Sequence, residues 1–176
     1  MPRLLRLAAA VFALALLPAL GAFAAPDDTA TLQPGESYTW EAVTAGTNVN
    51  YFGIAAPAEP VAPIGQCSKN PNSYCDSYLI ELSNPLTQAD IDAGKTFLRR
   101  TVTVTINFSA SDMDLQVWNS DAEGTRGTQL GQSAGSDFTE SVAASIRTTE
   151  EAPSQWILVD VIHFAHAGPY DGAVQF

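Results

Sequence analysis

Basic residues, histidine, cysteine and long apolar runs are all scarce in this chain. Eight Lys and Arg stand against nineteen Asp and Glu, with two His and two Cys, for a formal net charge of −11. Beyond the N-terminal segment the cations are Lys69, Lys95, Arg99, Arg100, Arg126 and Arg147, and they are scattered. A phosphate backbone is bound by Lys and Arg acting together, so nucleic acid is not expected as a partner, and the acidic excess reads as a solubility device. The two histidines form His163-Phe-Ala-His166 with no third ligand and no helical frame, which does not make a zinc site.

The one long apolar run, Leu7 to Leu20, follows the basic start Met1-Pro-Arg-Leu-Leu-Arg and precedes Ala22 and Ala24. That is the pattern of a signal peptide over residues 1–24, cut before Ala25. A membrane span asks for about 20 apolar residues, whereas this run is shorter and interrupted by Pro18. No cysteine follows the cut directly, so no lipid anchor is expected. The mature chain is then exported, secreted or periplasmic, with no membrane span, and is of a size for one domain. In that compartment Cys67 and Cys75 read as a disulfide, free thiols being the alternative. A loop this short contributes on the order of 2–3 kcal/mol when closed.

What the chain has in abundance is alternation. Val102, Val104, Ile106 and Phe108 alternate with Thr101, Thr103, Thr105 and Asn107, the period of a strand with one buried face. After Ser109-Ala-Ser the pattern resumes with Met113, Leu115 and Val117 against Asp112, Asp114 and Gln116, which predicts a second strand pairing back on the first as a hairpin. Residues 25–35 read as a polar lead ending in the turn signal Pro34-Gly35. Tyr38, Trp40 and Ala42 then mark a strand with Trp40 inward, and residues 48–54 a second short one. Pro57, Pro60 and Pro63 keep residues 55–65 out of a sheet interior.

Further along, Tyr78, Ile80 and Leu82 mark another strand, and residues 86–94, with Thr87 as N-cap and Gly94 as stop, the one short helix. Asn119 to Gly127 reads as a polar loop, Thr128 to Leu130 as a short strand, and Phe138, Val142, Ala144 and Ile146 as the buried side of another. Trp156 to Phe164, the most apolar run of the mature chain, predicts a central strand, with Asp160 on its solvent face. Tyr170 to Phe176 closes the pattern. Many short strands and nearly no helix give an all-β, antiparallel, jelly-roll-like β-sandwich over residues 36–176, a single domain.

Four segments together resemble the bacterial pre-peptidase C-terminal domain family. Asp76-Ser-Tyr-Leu-Ile-Glu-Leu is similar to its opening strand, Asp112-Met-Asp-Leu-Gln-Val to its Asp-x-Asp-Leu-x-Val segment, Trp156 to Val161 to its valine-rich strand, and Gly168-Pro-Tyr-Asp-Gly-Ala-Val to its closing strand. The resemblance implies a non-catalytic accessory module, in some members tied to substrate or matrix binding and in some to calcium. No peptidase domain stands before these motifs, so it implies no proteolysis.

Calcium takes about six to eight oxygen ligands. Asp112 and Asp114 share a strand face, and Asp121 and Asp76 are candidates to approach from neighbouring segments; a solvated acidic hairpin is the plainer alternative. Trp118 lies on the face of Asp112 and Asp114, placed either to stack on a sugar or peptide or to pack under a loop. Gly131-Gln-Ser-Ala-Gly135 spells the nucleophile elbow of serine hydrolases, with Asp160, His163 and His166 following. It lacks the strand–turn–helix frame that motif needs, so Ser133 is not expected to be a nucleophile. Asn107-Phe-Ser109 is a glycosylation sequon without meaning in an exported chain of bacterial type. The function expected is an exported, non-catalytic module contacting an extracellular polysaccharide or protein. A calcium-stabilised structural module is the alternative, and a small secreted hydrolase ranks last.

Overall fold

A computed structural model describes residues 28–43, 75–109, 112–165 and 168–176. The signal peptide expected at 1–24, the strand expected at 48–54, the proline-rich stretch, Cys67 and His166 lie outside these residues. Cys75 opens a strand, but its expected bridge to Cys67 likewise falls outside them. Among the described residues no helix is long and apolar enough to cross a membrane.

Among the described residues nine strands form two sheets. β1 (Asp28–Leu32), β3 (Cys75–Ser83), β8 (Ser154–Ala165), β5 (Asp112–Ser120) and β6 (Arg126–Ser133) make a five-stranded sheet in the order β1-β3-β8-β5-β6. β2 (Ser37–Val43), β9 (Pro169–Gln175), β4 (Leu98–Phe108) and β7 (Thr139–Thr148) make a four-stranded sheet in the order β2-β9-β4-β7. The sheets face each other across one core, to which β4 gives Val102, Val104 and Ile106, β5 gives Met113, Leu115 and Val117, and β8 gives Ile157, Val159 and Val161. The expected all-β sandwich is the fold observed. The short helix is present as α1 (Gln88–Asp92), started by a Thr87–Asp90 capping box and followed by Gly94 at φ 75°.

Three expectations need correction. Residues 25–35 are not all lead: β1 runs through them, pairs in parallel with β3 and buries Leu32, so the sandwich starts before residue 36. Its alternation, Ala30 and Leu32 against Thr29 and Thr31, is short but has the strand period.

The second correction concerns β4 and β5, which do not form a hairpin. β4 pairs with β7 and β9, whereas β5 pairs with β6 and β8 in the opposite sheet. They lie in opposite sheets, where two strands each with a single apolar face bury those faces against one another.

The third is that the strand expected at Thr128 to Leu130 extends over Arg126–Ser133, taking in the end of the expected polar loop before it and Gly131 to Ser133 after it. Phe138 stands just before β7 and is 60% exposed, so the buried series on β7 begins instead with Glu140.

Two glycines let the layers close. A Cβ on Gly131 would lie 2.6 Å from Val142 Cγ1 across the core, and one on Gly172 would lie 2.0 Å from the Trp40 ring. Trp40 covers Gly172, its cross-strand partner, and stacks on Tyr78 of the other sheet at 4.3 Å between ring centres. Its expected place in the core holds.

Candidate functional site: a cleft on the outer face of β5 and β6

Because Met113, Leu115 and Val117 point into the core, the alternate residues Asp114, Gln116 and Trp118 line the outer face of β5. β6 lies beside them, with Gln116 opposite Gln132 and Trp118 opposite Gln129. The register shifts on either side of Trp118, and such irregularities re-aim side chains at sheet edges. A cleft of about 340 Å³ results, lined by Asp114, Gln116, Trp118, Gln129 and Gln132 among others. That volume is near the lower end of the roughly 300–1,000 Å³ of ligand pockets. Trp118 is half-buried and contributes to the cleft rather than to the core.

Behind Gln116, on β8, stands Asp160. It was expected to be solvated and is instead fully buried. Arg126 reaches across from β6: its Nε donates to Asp160 Oδ2 at 2.8 Å, and Nη2 lies 2.7 Å from the same oxygen. The Ser77 hydroxyl donates to Oδ1 at 2.7 Å. A carboxylate on an apolar strand survives burial only with such partners.

At the rim, Glu140 on β7 is 3% exposed and accepts a hydrogen bond from the Ser133 hydroxyl. The contact joins the edge strands of the two sheets. It also explains the Gly-x-Ser-x-Gly spelling structurally, since Gly131 makes room for Val142 and Ser133 serves Glu140. Asp160 faces outward, and His163, three residues on, faces the core, so Ser133, Asp160 and His163 are not brought together as a triad. Asp114 is pushed up to about 6, first by burial and then by the neighbouring Asp112 and Glu140 carboxylates.

The four aspartates proposed from sequence do not converge. Asp112 and Asp114 are neighbours at the start of β5. Asp121 follows the far end of that strand, on the order of 30 Å away at about 3.3 Å per residue. There it accepts from the backbone N–H groups of Glu123 and Thr125 and shapes the turn before β6.

Asp76 is bonded into an inter-sheet cluster. It accepts from the Tyr170 hydroxyl at 2.6 Å, Tyr170 pairs with the Tyr78 hydroxyl at 2.8 Å, and His163 Nε2 stands 3.3 Å from the carboxylate. Burial would raise Asp76, but the His163 and Tyr170 contacts outweigh it and hold the carboxyl below its usual value. Among the described residues no group of three or more His, Cys, Asp or Glu is placed to hold a metal ion. Sequence reasoning missed Glu140, Arg126 and the two glutamines of β6, Gln129 and Gln132. An acid within the alternation Val142, Ala144, Ile146 was the available signal for Glu140.

The fold and cleft define a two-sheet β-sandwich with a small polar-aromatic groove on an outer face. No family model matches the chain, and no curated protein does. Among solved structures it is similar to the pre-peptidase C-terminal domain of collagenase from Bacillus anthracis, at 8% identity and a TM-score of 0.47, over 85% of this chain and 97% of that one. It is also similar to the VP2 subviral particle of infectious bursal disease virus, at 10% identity and a TM-score of 0.21, over 68% of this chain and 37% of that one. Neither likeness bears on function.

Proposed function

We propose that this chain is an exported, non-catalytic accessory module of the pre-peptidase C-terminal type, which contacts an extracellular polysaccharide or protein through the outer face of β5 and β6. The observation that carries this reading is the cleft at Trp118. A half-buried aromatic ring is combined there with Asp114 and three glutamine amides, a set suited to holding a ligand and short of a nucleophile with its base. The polar groups that a hydrolase would need are occupied elsewhere: Ser133 by Glu140, Asp160 by Arg126 and Ser77, and Asp76 by Tyr170. Pull-down on a panel of immobilised polysaccharides and matrix proteins tests it. Binding that Trp118→Ala abolishes is expected, and retention of full binding by that variant would remove the site.

A calcium-stabilised structural role is the second reading, favoured by Asp112 and Asp114 together at the start of β5, where burial first, and then repulsion from Asp112 and Glu140, raises Asp114. A divalent cation held by Asp112 and Asp114 would relieve that repulsion; Asp121 and Asp76 would take no part. Calorimetric titration with calcium checks it, and an absence of heat together with an unchanged melting temperature would rule it out.

A further inference from the structure

Two polar atoms on the cleft-lining residues are buried without a hydrogen-bond partner, Trp118 Nε1 and Gln116 Oε1. Buried polar atoms are paired in the great majority of cases, and an exception calls for a water, an ion or a ligand. The two atoms are complementary in kind: one is a donor only, the other an acceptor, and their residues stand two apart on the same face of β5. A hydroxyl suits either atom, because its oxygen accepts while its proton is donated. A peptide meets such a pair only with two separate groups, a carbonyl that accepts and an N–H that donates.

The rest of the cleft has the same chemistry. Gln129 Nε2 donates to Gln132 Oε1 at 3.1 Å, which leaves Gln129 Oε1 as an acceptor and Gln132 Nε2 as a donor. Arg126, the cation nearest in the sheet, is committed to Asp160. Asp114 is the ionisable side chain among the cleft's described residues, and the whole chain carries a net charge of −11. A polyanion would be repelled.

We propose that the cleft binds a neutral polysaccharide, with the Trp118 ring as stacking platform and Gln116, Gln129 and Gln132 as partners of its hydroxyl groups. This rests on the contact-module reading above and names its ligand class.

Native affinity electrophoresis of the whole chain tests it, in gels containing hydroxyethyl cellulose, xylan or dextran, with alginate as the polyanion and gelatin as the polypeptide. Retardation is expected in at least one neutral gel and in neither alginate nor gelatin. Trp118→Ala and Gln116→Leu should each weaken it roughly tenfold or more, as loss of an anchoring side chain does. Gln116→Leu leaves the fold's core untouched and so keeps the test valid if Trp118→Ala misfolds. Retardation by gelatin that depends on Trp118 would overturn the saccharide assignment while leaving the contact module standing. Mobility unchanged in every gel would overturn both, and neutral-gel binding untouched by either variant would overturn the site.

Discussion

Replacing Arg126 by Ala leaves the Asp160 carboxylate, fully buried on β8, with the Ser77 hydroxyl as its remaining side-chain partner among the described residues. Breaking a buried pair from one side costs about 3–5 kcal/mol, because the abandoned charge stays in a poorly solvated place. The Arg126 side chain is 20% exposed and Asp160 keeps one hydrogen bond, so the lower end, about 3 kcal/mol, is expected. For a domain of this size about 1 kcal/mol moves the melting temperature by roughly 2–4 °C, giving a fall of roughly 6–12 °C. The double variant Arg126→Met with Asp160→Leu removes both charges and should recover most of the loss. Thermal unfolding of the three variants beside the parent is the assay. A loss under about 1 kcal/mol in Arg126→Ala, or a double variant no more stable than the single one, would refute the claim that the buried Asp160 carboxylate depends on Arg126.

Gly172→Ala places a methyl group where Trp40 now lies and should cost about 1–3 kcal/mol in urea unfolding; an unchanged midpoint would mean that Trp40 does not cover this position. Ser133→Ala strips the buried Glu140 of its hydrogen bond and should cost about 1–3 kcal/mol, while any ester hydrolysis by the preparation stays the same. Asp114 is held at about 6 in the folded chain, above its ordinary value of 3.8, so the folded state binds its proton more tightly than the unfolded one. The stability this gives is full below pH ~4 and is lost as pH rises through about 6. Asp114→Asn should therefore raise the melting temperature above pH ~7 and leave it unchanged below pH ~4, by a small amount because solvent screens a half-exposed group.

Much of the fold was legible because burial on one face writes itself into a strand as alternation. β4, β5 and β7 were visible this way, β8 as the most apolar run, and the Thr87 and Gly94 signals placed α1. The same period cannot say which sheet a strand joins, so β4 and β5, adjacent in sequence, were paired although they lie on opposite sides of the core. β1 was missed because a five-residue strand gives only two inward positions, Ala30 and Leu32.

The site was legible in part. Trp118 and Asp114 were visible as outward residues of β5, but Gln132 lay beyond the strand expected at Thr128 to Leu130, and nothing in that three-residue reading set Gln129 beside Trp118. Asp160 was misplaced because its residue type argues for solvent, while its partners stand far off in sequence. Arg126 is 34 residues from Asp160, and Ser77 is 83. Gly131 and Ser133 spelled a catalytic motif because small residues serve close sheet packing as well as sharp turns.

The most direct test of the Trp118 cleft is the indole N–H region of a two-dimensional ¹⁵N–¹H spectrum, where the three tryptophans of the chain each give one signal. On titration with neutral cello-, xylo- and isomalto-oligosaccharides the Trp118 signal should move with at least one series, as its unpaired Nε1–H gains an acceptor, while that of Trp40, closed in the core at 8% exposure, should stay. A Trp118 signal that stays fixed with every series, or a shift confined to Trp40, would contradict the account.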